Sequence, residues 1–455
     1  MKRLLVVLLA LGLIAAFGAT ASAADVKFSG QWYAVGVYEN NRSLNDTDST
    51  YSKAYVWTRT RVQTVFQVAE GLSFTTRFDA FEKQWGAVNR SSNNNEDKSN
   101  SGKVNSLNVN LQENIEMEHA FVTFKTKVGM FDIGYQAADE WGTVFADTPG
   151  SRPRLKYTSV FGPVTFGAIW EKVYEADTIR LNAAAGAGTS SRIVDGDGDN
   201  YMLFGIYNWK GGAAGLLYKY VNNAKDRPTA NMRTQVHALL PYIKATFGPV
   251  YVEGELVWLT GKSAKFEHPS TSPDVDKEGL GFYALARVKL GPAYVGGQIG
   301  YSSGDPNDTT KDKSGPASTT AWKPFLIFGE ANLTVWNYGA ALGAGNANNP
   351  VNTTNNKQNL WLYQAHAGFN PTPKINVEGA IGFMHADKKP NHYESKNYGW
   401  EADIKASYKI YDNLTYMVGA GYFWTGDYFK GNVQTNPHAK VGNDYLLMNQ
   451  LTLNF

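Results

Sequence analysis

The most regular feature of the chain is an alternation of apolar and polar residues with a period of two. Residues 280–290 place Leu, Phe, Ala, Ala, Val and Leu at every second position, and residues 250–258, 400–410 and 414–424 follow the same rule. An extended strand points successive side chains to opposite faces, so this period predicts β-strands with one apolar face each. The segments are about ten residues long, the length that a tilted strand needs to cross a bilayer. Strands of a soluble sandwich are shorter, about five or six residues.

The connections between these segments alternate between short and long. Eight short turns fall near 69–71, 126–127, 161–163, 210–212, 247–249, 290–292, 370–373 and 411–413. Nine long, polar connections fall near 39–53, 84–114, 136–151, 174–199, 222–233, 263–278, 302–358, 385–396 and 426–442. Seventeen connections imply eighteen strands. Short turns on one side and long loops on the other are typical of bacterial outer-membrane barrels. We therefore predict an all-β fold, a transmembrane antiparallel β-barrel of about 18 strands with short periplasmic turns and long extracellular loops.

The strand number depends on the longest connection, 302–358. Its residues 325–342 are apolar enough to form another hairpin, which would raise the number to twenty. The same residues could instead form a loop that folds into the lumen. Merging weaker strands elsewhere would lower the number to sixteen. An even number is expected in each case, because bacterial barrels of a single chain close with paired antiparallel strands.

The first residues carry the pattern of an export signal. Lys2 and Arg3 precede an apolar run over residues 4–17, and Ala21-Ser22-Ala23 supplies small residues for cleavage. We predict a signal peptide over 1–23 and the barrel over 24–455. An N-terminal membrane anchor is the alternative, but the apolar run is short for a span. Removing Lys2 and Arg3 lowers the 43 basic residues to 41, which balance the 41 acidic ones.

Composition and motifs exclude several other classes of protein. The chain has no Cys, which excludes disulfide scaffolds, zinc ribbons, iron–sulfur clusters and cysteine nucleophiles. The balance of charge argues against nucleic-acid binding by a basic field. No Gly-x-Ser-x-Gly, Walker or His-Glu-x-x-His motif occurs. We therefore expect no enzymatic activity, no cofactor and no nucleic-acid partner.

One acidic cluster is a weak candidate for a metal site. Asp195, Asp197 and Asp199 alternate with Gly in a predicted loop, as at the start of a calcium-binding loop. The twelfth position holds Ile206 where such a loop needs Glu, so a flexible acidic turn is the favoured interpretation.

Alternation also predicts which charged residues face the lumen. A charge on the lipid face of a barrel costs a few kcal/mol at the midplane, so the charged parity of each strand must point inward. By this rule the lumen-facing basic residues are Arg59, Arg61, Arg77, Arg152, Arg154 and Lys156. Asp79 shares the parity of Arg77.

The chain ends on an alternating strand whose last residue is Phe455. A terminal Phe that closes such a strand resembles the signal that outer-membrane barrels present to their assembly machinery. We predict that Phe455 is this assembly signal.

Two stretches resemble the general porins of Gram-negative bacteria. Residues 118–136 read EHAFVTFKTKVGMFDIGYQ, similar to a porin strand-turn-strand, and residues 152–168, RPRLKYTSVFGPVTFGA, resemble the next strand and hairpin. Between them, residues 137–151 occupy the place of the porin loop that folds inward and narrows the pore. Tyr135 stands where the family usually has Arg, which implies that a pore-facing charge is missing.

The resemblance implies a passive diffusion channel for small hydrophilic solutes and ions in the bacterial outer membrane. Its constriction would set the six basic residues above against Asp139, Glu140 and Asp147 of the inward loop. The implied partners are outer-membrane lipid, lipopolysaccharide and the barrel assembly machinery, and a homotrimer is one option. Two alternatives stay open: a substrate-specific outer-membrane channel, and a barrel that sheathes a partner protein such as an electron-transfer cytochrome.

Overall fold

A computed structural model describes residues 25–41, 44, 46, 52–85, 115–180, 192–227, 231–267, 272–305, 310–316, 321–328, 358–434 and 440–455. Within them, eighteen antiparallel strands form a closed barrel. The predicted signal peptide lies outside the described residues. The strands are β1 Asp25–Glu39, β2 Lys53–Ala69, β3 Leu72–Gln84, β4 Glu116–Thr126, β5 Gly129–Ala138, β6 Gly150–Phe161, β7 Val164–Tyr174, β8 Gly198–Trp209, β9 Gly212–Asn223, β10 Met232–Phe247, β11 Val250–Phe266, β12 Val275–Leu290, β13 Ala293–Ser302, β14 Leu360–Thr372, β15 Ile375–His385, β16 Asn397–Tyr411, β17 Leu414–Thr425 and β18 Asp444–Asn454.

The first strand closes the barrel against the last. β1 pairs with β2 on one side and with β18 on the other, from Gln31 opposite Asn454 to Glu39 opposite Leu446. Phe455 extends this seam, because it exchanges two backbone hydrogen bonds with Gly30, at 2.7 and 3.0 Å. Closure leaves no strand edge with unpaired backbone groups, which a bilayer would not satisfy.

The predicted alternation of turns and loops is confirmed in all seventeen connections. Three of the tight turns use a Gly-Pro pair, in which Gly162, Gly248 and Gly291 adopt φ values of 55°, 57° and 63°. Glycine enters this left-handed region without a steric penalty, so the pair reverses the chain within two residues. Strand number, and with it the all-β barrel prediction, is likewise confirmed at eighteen.

The predicted faces of the strands also agree with the structure. On β11, Leu256 and Trp258 are exposed on the outer face, whereas Glu255 and Val257 are buried inside. Ala284 on β12 is exposed and Tyr283 beside it is buried. The outward parity is therefore the apolar one, as lipid contact requires.

The long connection between β13 and β14 bears on the alternative strand numbers considered above. The barrel closes with eighteen strands, so the twenty- and sixteen-strand alternatives are wrong. Residues 325–328 pair with no neighbouring strand and lie buried inside the barrel; the rest of the hairpin considered above, 329–342, lies outside the described residues. Four apolar residues in a row read as a strand because an inward-folded loop that packs on apolar walls needs the same composition.

A cluster of buried hydrophobic side chains lies inside the barrel, which the alternation did not predict. It brings Phe325, Leu326 and Ile327 against inward side chains of β1 and β14–β18. These wall residues are Val35, Val37, Leu360, Leu362, Met384, Phe423, Leu446 and Met448. Charged residues such as Glu378 and Asp403 share this inner face, so this part of the wall presents apolar and charged side chains together.

Among the described residues, several short elements accompany the barrel. Asp177–Arg180 pairs with Arg192–Asp195 in the loop after β7, and Lys311–Asp312 pairs in parallel with the start of β12. Asp427–Lys430 forms a single 3-10 turn after β17. None of the described residues forms a helix long and apolar enough to cross a membrane.

Candidate functional site in the barrel lumen

The first of two segments inside the barrel is 139–149, between β5 and β6. Its Thr143 donates two hydrogen bonds, from backbone N and Oγ1, to Oε2 of Glu255 on β11, each at 2.7 Å. Trp141 Nε1 donates to the carbonyl oxygen of Leu240 on β10 at 2.8 Å. The segment therefore leaves the wall at β5 and is anchored several strands away, on β10 and β11.

The second segment is 321–328, between β13 and β14. Trp322 Nε1 donates to Oε1 of Gln298 on β13 at 2.8 Å. At its other end, three consecutive backbone N–H groups donate to the carboxylates of Glu401 and Asp403 on β16, at 2.6 to 2.9 Å. Both ends are thus tied to the inner face of the barrel.

The two segments meet. Phe145 of the first stacks on Tyr283 of the wall, with ring centroids 5.7 Å apart, and contacts the edge of Trp322 at 5.2 Å. The backbone N–H of Ala321 donates to the carbonyl oxygen of Asp147 at 3.1 Å. We call the joined residues 139–149 and 321–328 the lumen belt.

The lumen face of β2–β7 is a charged wall. Arg61 forms a fork with Asp79, from Nε and Nη2 to the two carboxylate oxygens at 2.7 and 2.6 Å, and Asp79 is only 2% exposed. Such bidentate pairs are the strong ones. Three further ion pairs line these strands: Arg59–Glu82 at 3.4 Å, Arg77–Glu118 at 3.0 Å and Lys156–Asp132 at 3.7 Å. The basic ladder predicted from alternation is present, and its charges lie beside carboxylates of neighbouring strands.

Where the wall meets the belt, Asp139 of the belt is in direct contact with two basic residues of the barrel. Arg152 donates to Oδ2 of Asp139 at 2.9 and 3.0 Å, and Lys219 lies 3.1 Å from Oδ1 of the same residue. Arg154 pairs with the fully buried Glu171. Lys219 and Glu171 were missed by sequence reasoning, although their charged parity on β9 and β7 was a usable signal.

The pKa values of two carboxyl groups in the first segment shift in opposite directions. Burial alone would raise the pKa of Asp139, but Lys219 and Arg152 hold it below its usual value. Burial raises the pKa of Asp147 to about 7, and the nearby Glu140 adds to the rise, against the hydrogen bond that Trp141 N donates at 2.6 Å. Asp147 is therefore the group of this segment that changes charge near neutral pH.

Ion selectivity should therefore depend on pH. As pH rises from about 6 to about 8, Asp147 loses its proton and the lumen gains one negative charge. The permeability ratio of cations to anions should rise over this range, and Asp147→Asn should reduce the dependence. Reversal potentials across planar bilayers with a salt gradient measure it. If the pH dependence of the permeability ratio is unchanged in Asp147→Asn, another titratable group causes it.

Two further sequence predictions concern Tyr135 and the acidic cluster at 195–199. Tyr135 is 54% exposed and shares the outward parity of Ile133, so an Arg at this position of the chain would face lipid, not the pore. At the predicted metal site, Lys172 of β7 contacts Asp197 and lies 3.7 Å from Asp199, where a bound cation would otherwise balance the charge. Among the described residues, no group of three or more His, Cys, Asp or Glu could hold a metal ion.

No protein-family model matches the chain, and no curated protein matches its sequence. Solved structures do resemble it. OccAB4 of Acinetobacter baumannii superposes with a TM-score of 0.52 at 10% identity, covering 96% of this chain and 100% of that one. OccK8 (OprE) of Pseudomonas aeruginosa gives 0.51 at 13%, covering 95% and 98%. OccK2 (OpdF) of the same organism, solved with glucuronate, gives 0.50 at 11%, covering 95% and 97%. Together with the closed barrel and its apolar outer face, these likenesses show that the chain has the β-barrel fold of Gram-negative outer-membrane porins.

Proposed function

We propose that the protein is an outer-membrane porin that lets small hydrophilic solutes and ions diffuse passively along the charged wall of β2–β7. The observation that carries this proposal is the lumen belt. Its anchors reach from β10 and β11 to β16, opposite the charged wall. A belt on one side of a lumen and hydrated charges on the other leave a polar path between them. Asp139, Glu140 and Asp147 would form the belt side of the constriction.

The belt also favours small solutes over a threaded protein partner. Phe145 and Trp322 are each buried and in ring contact inside the barrel, so the chain's own residues occupy space that a sheathed cytochrome would need. The proposal therefore places diffusion ahead of the sheath alternative.

The proposal predicts that the arginines beside the belt set ion preference. Replacing Arg152 and Arg154 by Ser together should raise the permeability of cations over anions, because Asp139 and Glu171 lose partners. The shift should shrink at high salt, since the Debye length falls from about 10 Å at 0.1 M to about 3 Å at 1 M. Reversal potentials in planar bilayers measure both effects.

A matched control is Lys289→Ser with Lys409→Ser, which removes two exposed basic residues at the turn end of the barrel. This control should leave the reversal potential close to that of the unchanged protein. Equal shifts in both double variants would mean that overall charge, not the constriction, sets selectivity.

A substrate-specific channel is the second candidate, favoured by one cavity. It has a volume of about 220 Å³ and lies between the second belt segment and the wall. Lys405 and Glu378 line it together with Met417 and Met448, so it offers charges of both signs beside an apolar surface. A solute that matches this cavity would block ionic current at low concentration, whereas a purely diffusive porin would show only size-dependent permeation of graded solutes.

The assembly role of Phe455 is also a proposal. The residue joins the first strand to the last through its two hydrogen bonds with Gly30. Deleting Phe455 should lower the amount of barrel in the outer membrane without reducing export, and Phe455→Tyr, which keeps the ring, should not. Cell fractionation with a folding assay by gel mobility measures this. Unchanged outer-membrane levels after the deletion would contradict an assembly signal in this residue.

A further inference from the structure

Two carboxylates on one strand hold the end of the second belt segment. Asp403 Oδ2 accepts the backbone N–H of Leu326 at 2.9 Å. The two oxygens of Glu401 accept the N–H groups of Ile327 and Phe328, at 2.6 and 2.7 Å. Glu401 and Asp403 are two residues apart on β16, so both point into the lumen. We call this arrangement the carboxylate clasp.

The clasp ties the burial of Glu401 to the docking of the segment. Glu401 is 0% exposed, and a buried carboxyl group is costly unless it is hydrogen-bonded. The ion pair nearby joins Lys405 to Glu378, at 3.1 Å. The hydrogen bonds that Glu401 receives from Ile327 and Phe328 therefore compensate for its desolvation, and the same bonds hold the segment to the wall.

The held segment covers apolar side chains of the lumen wall. Leu326 and Ile327 pack into the apolar core on β1 and β14–β18, and Trp322 carries the contact on to Phe145 of the first segment. Release of the clasp would uncover these apolar side chains and loosen the support of the first segment. On the basis of the proposed channel function, we propose that Glu401 and Asp403 are positioning residues that keep 321–328 docked and so set the width of the pore.

The test is Glu401→Gln in the full chain, purified and inserted in planar bilayers. Gln has one acceptor oxygen, and its amide would meet the second N–H group donor to donor. We expect a higher single-channel conductance with larger current fluctuations. Glu401→Asp, which keeps both acceptor oxygens, should stay closer to the unchanged protein. Glu278→Gln is the matched control, because it removes a half-exposed carboxylate that pairs with Lys311, outside the clasp.

A second readout does not depend on conductance. The chain has no Cys, so Leu326→Cys introduces a single thiol into a buried position of the segment. Maleimide should label this thiol slowly when Glu401 is present. With Glu401→Gln, labelling should be about tenfold faster, the factor expected for loss of one hydrogen bond.

The outcomes separate the two proposals. If the unchanged protein does not conduct, the channel function is wrong, and labelling still decides the clasp. If conductance and labelling are both unaffected by Glu401→Gln, the clasp does not position the segment. Should Glu401→Gln fail to assemble, Asp403→Asn answers the same question, because it alters the carboxylate that accepts the bond from Leu326 N.

Discussion

Ala284→Arg is expected to destabilise the folded barrel by about 2–4 kcal/mol. Ala284 is exposed on the outer face of β12, where it lies opposite Gly254 on one neighbouring strand and Ile299 on the other. A guanidinium at this position would have to enter the hydrocarbon region without a partner. Unfolding in guanidinium chloride from lipid vesicles, followed by Trp fluorescence, measures the loss.

Glu253→Arg provides the matched control on the neighbouring strand. Glu253 faces the lumen, where the hydroxyl groups of Tyr251 and Tyr283 donate to it at 2.7 and 2.8 Å. A charge of either sign can be hydrated there, so the variant should fold with a much smaller loss and shift ion preference toward anions. If Glu253→Arg fails to fold while Ala284→Arg is tolerated, the two faces have been assigned the wrong way round.

Replacing residues 139–149 by Asn-Gly should raise single-channel conductance severalfold while the barrel stays closed. Ala138 and Gly150 are register partners at the ends of β5 and β6, so a two-residue turn can join them, and Asn-Gly is the favoured sequence for such a turn. The replacement removes the belt side of the constriction, including Asp139 and the anchor at Thr143. Conductance in symmetrical salt, recorded for single channels, measures the change.

Replacing a second loop of the same length controls for the general effect of removing a loop. Residues 386–396 also number eleven, and His385 and Asn397 on either side are register partners. This loop contacts the 3-10 turn through Tyr393 and Tyr428, and carries none of the hydrogen bonds that anchor the belt. Its replacement by Asn-Gly should leave conductance near that of the unchanged protein. An intact barrel whose conductance does not respond to loss of 139–149 would contradict an inward constriction loop.

The sequence predicted which single residues face the lumen, but not which of them contact each other. Alternation placed Arg59, Arg61 and Arg77 in the lumen, because a charge must avoid lipid whatever its neighbours are. Alternation did not reveal that Arg61 forms a bidentate ion pair with Asp79. That pair depends on which positions of β2 and β3 lie opposite each other. Pairing across strands is set by register, and a period of two contains no register.

The contacts of the lumen belt were even less accessible to prediction from the sequence. Thr143 and Glu255 are 112 positions apart, and Ile327 and Glu401 are 74 apart. Their contact depends on where two loops travel after leaving the wall. The apolar run of 325–328 therefore supported a strand and an inward loop equally well, because both bury the same side chains.

The sequence by itself determined the antiparallel barrel, its turns and loops, and which side chains share a face of each strand. These properties follow from interactions within one strand or one turn: the alternation of Cβ directions, the Gly-Pro reversals and the cost of a charge in lipid. Only the tertiary structure decided that the barrel closes with eighteen strands rather than sixteen or twenty, that an apolar cluster lies in the lumen, that the basic ladder is paired, and that the clasp at Glu401 holds a second segment. Each of these requires side chains far apart in the chain to meet inside a barrel that has already closed, so the local pattern has no way to record them.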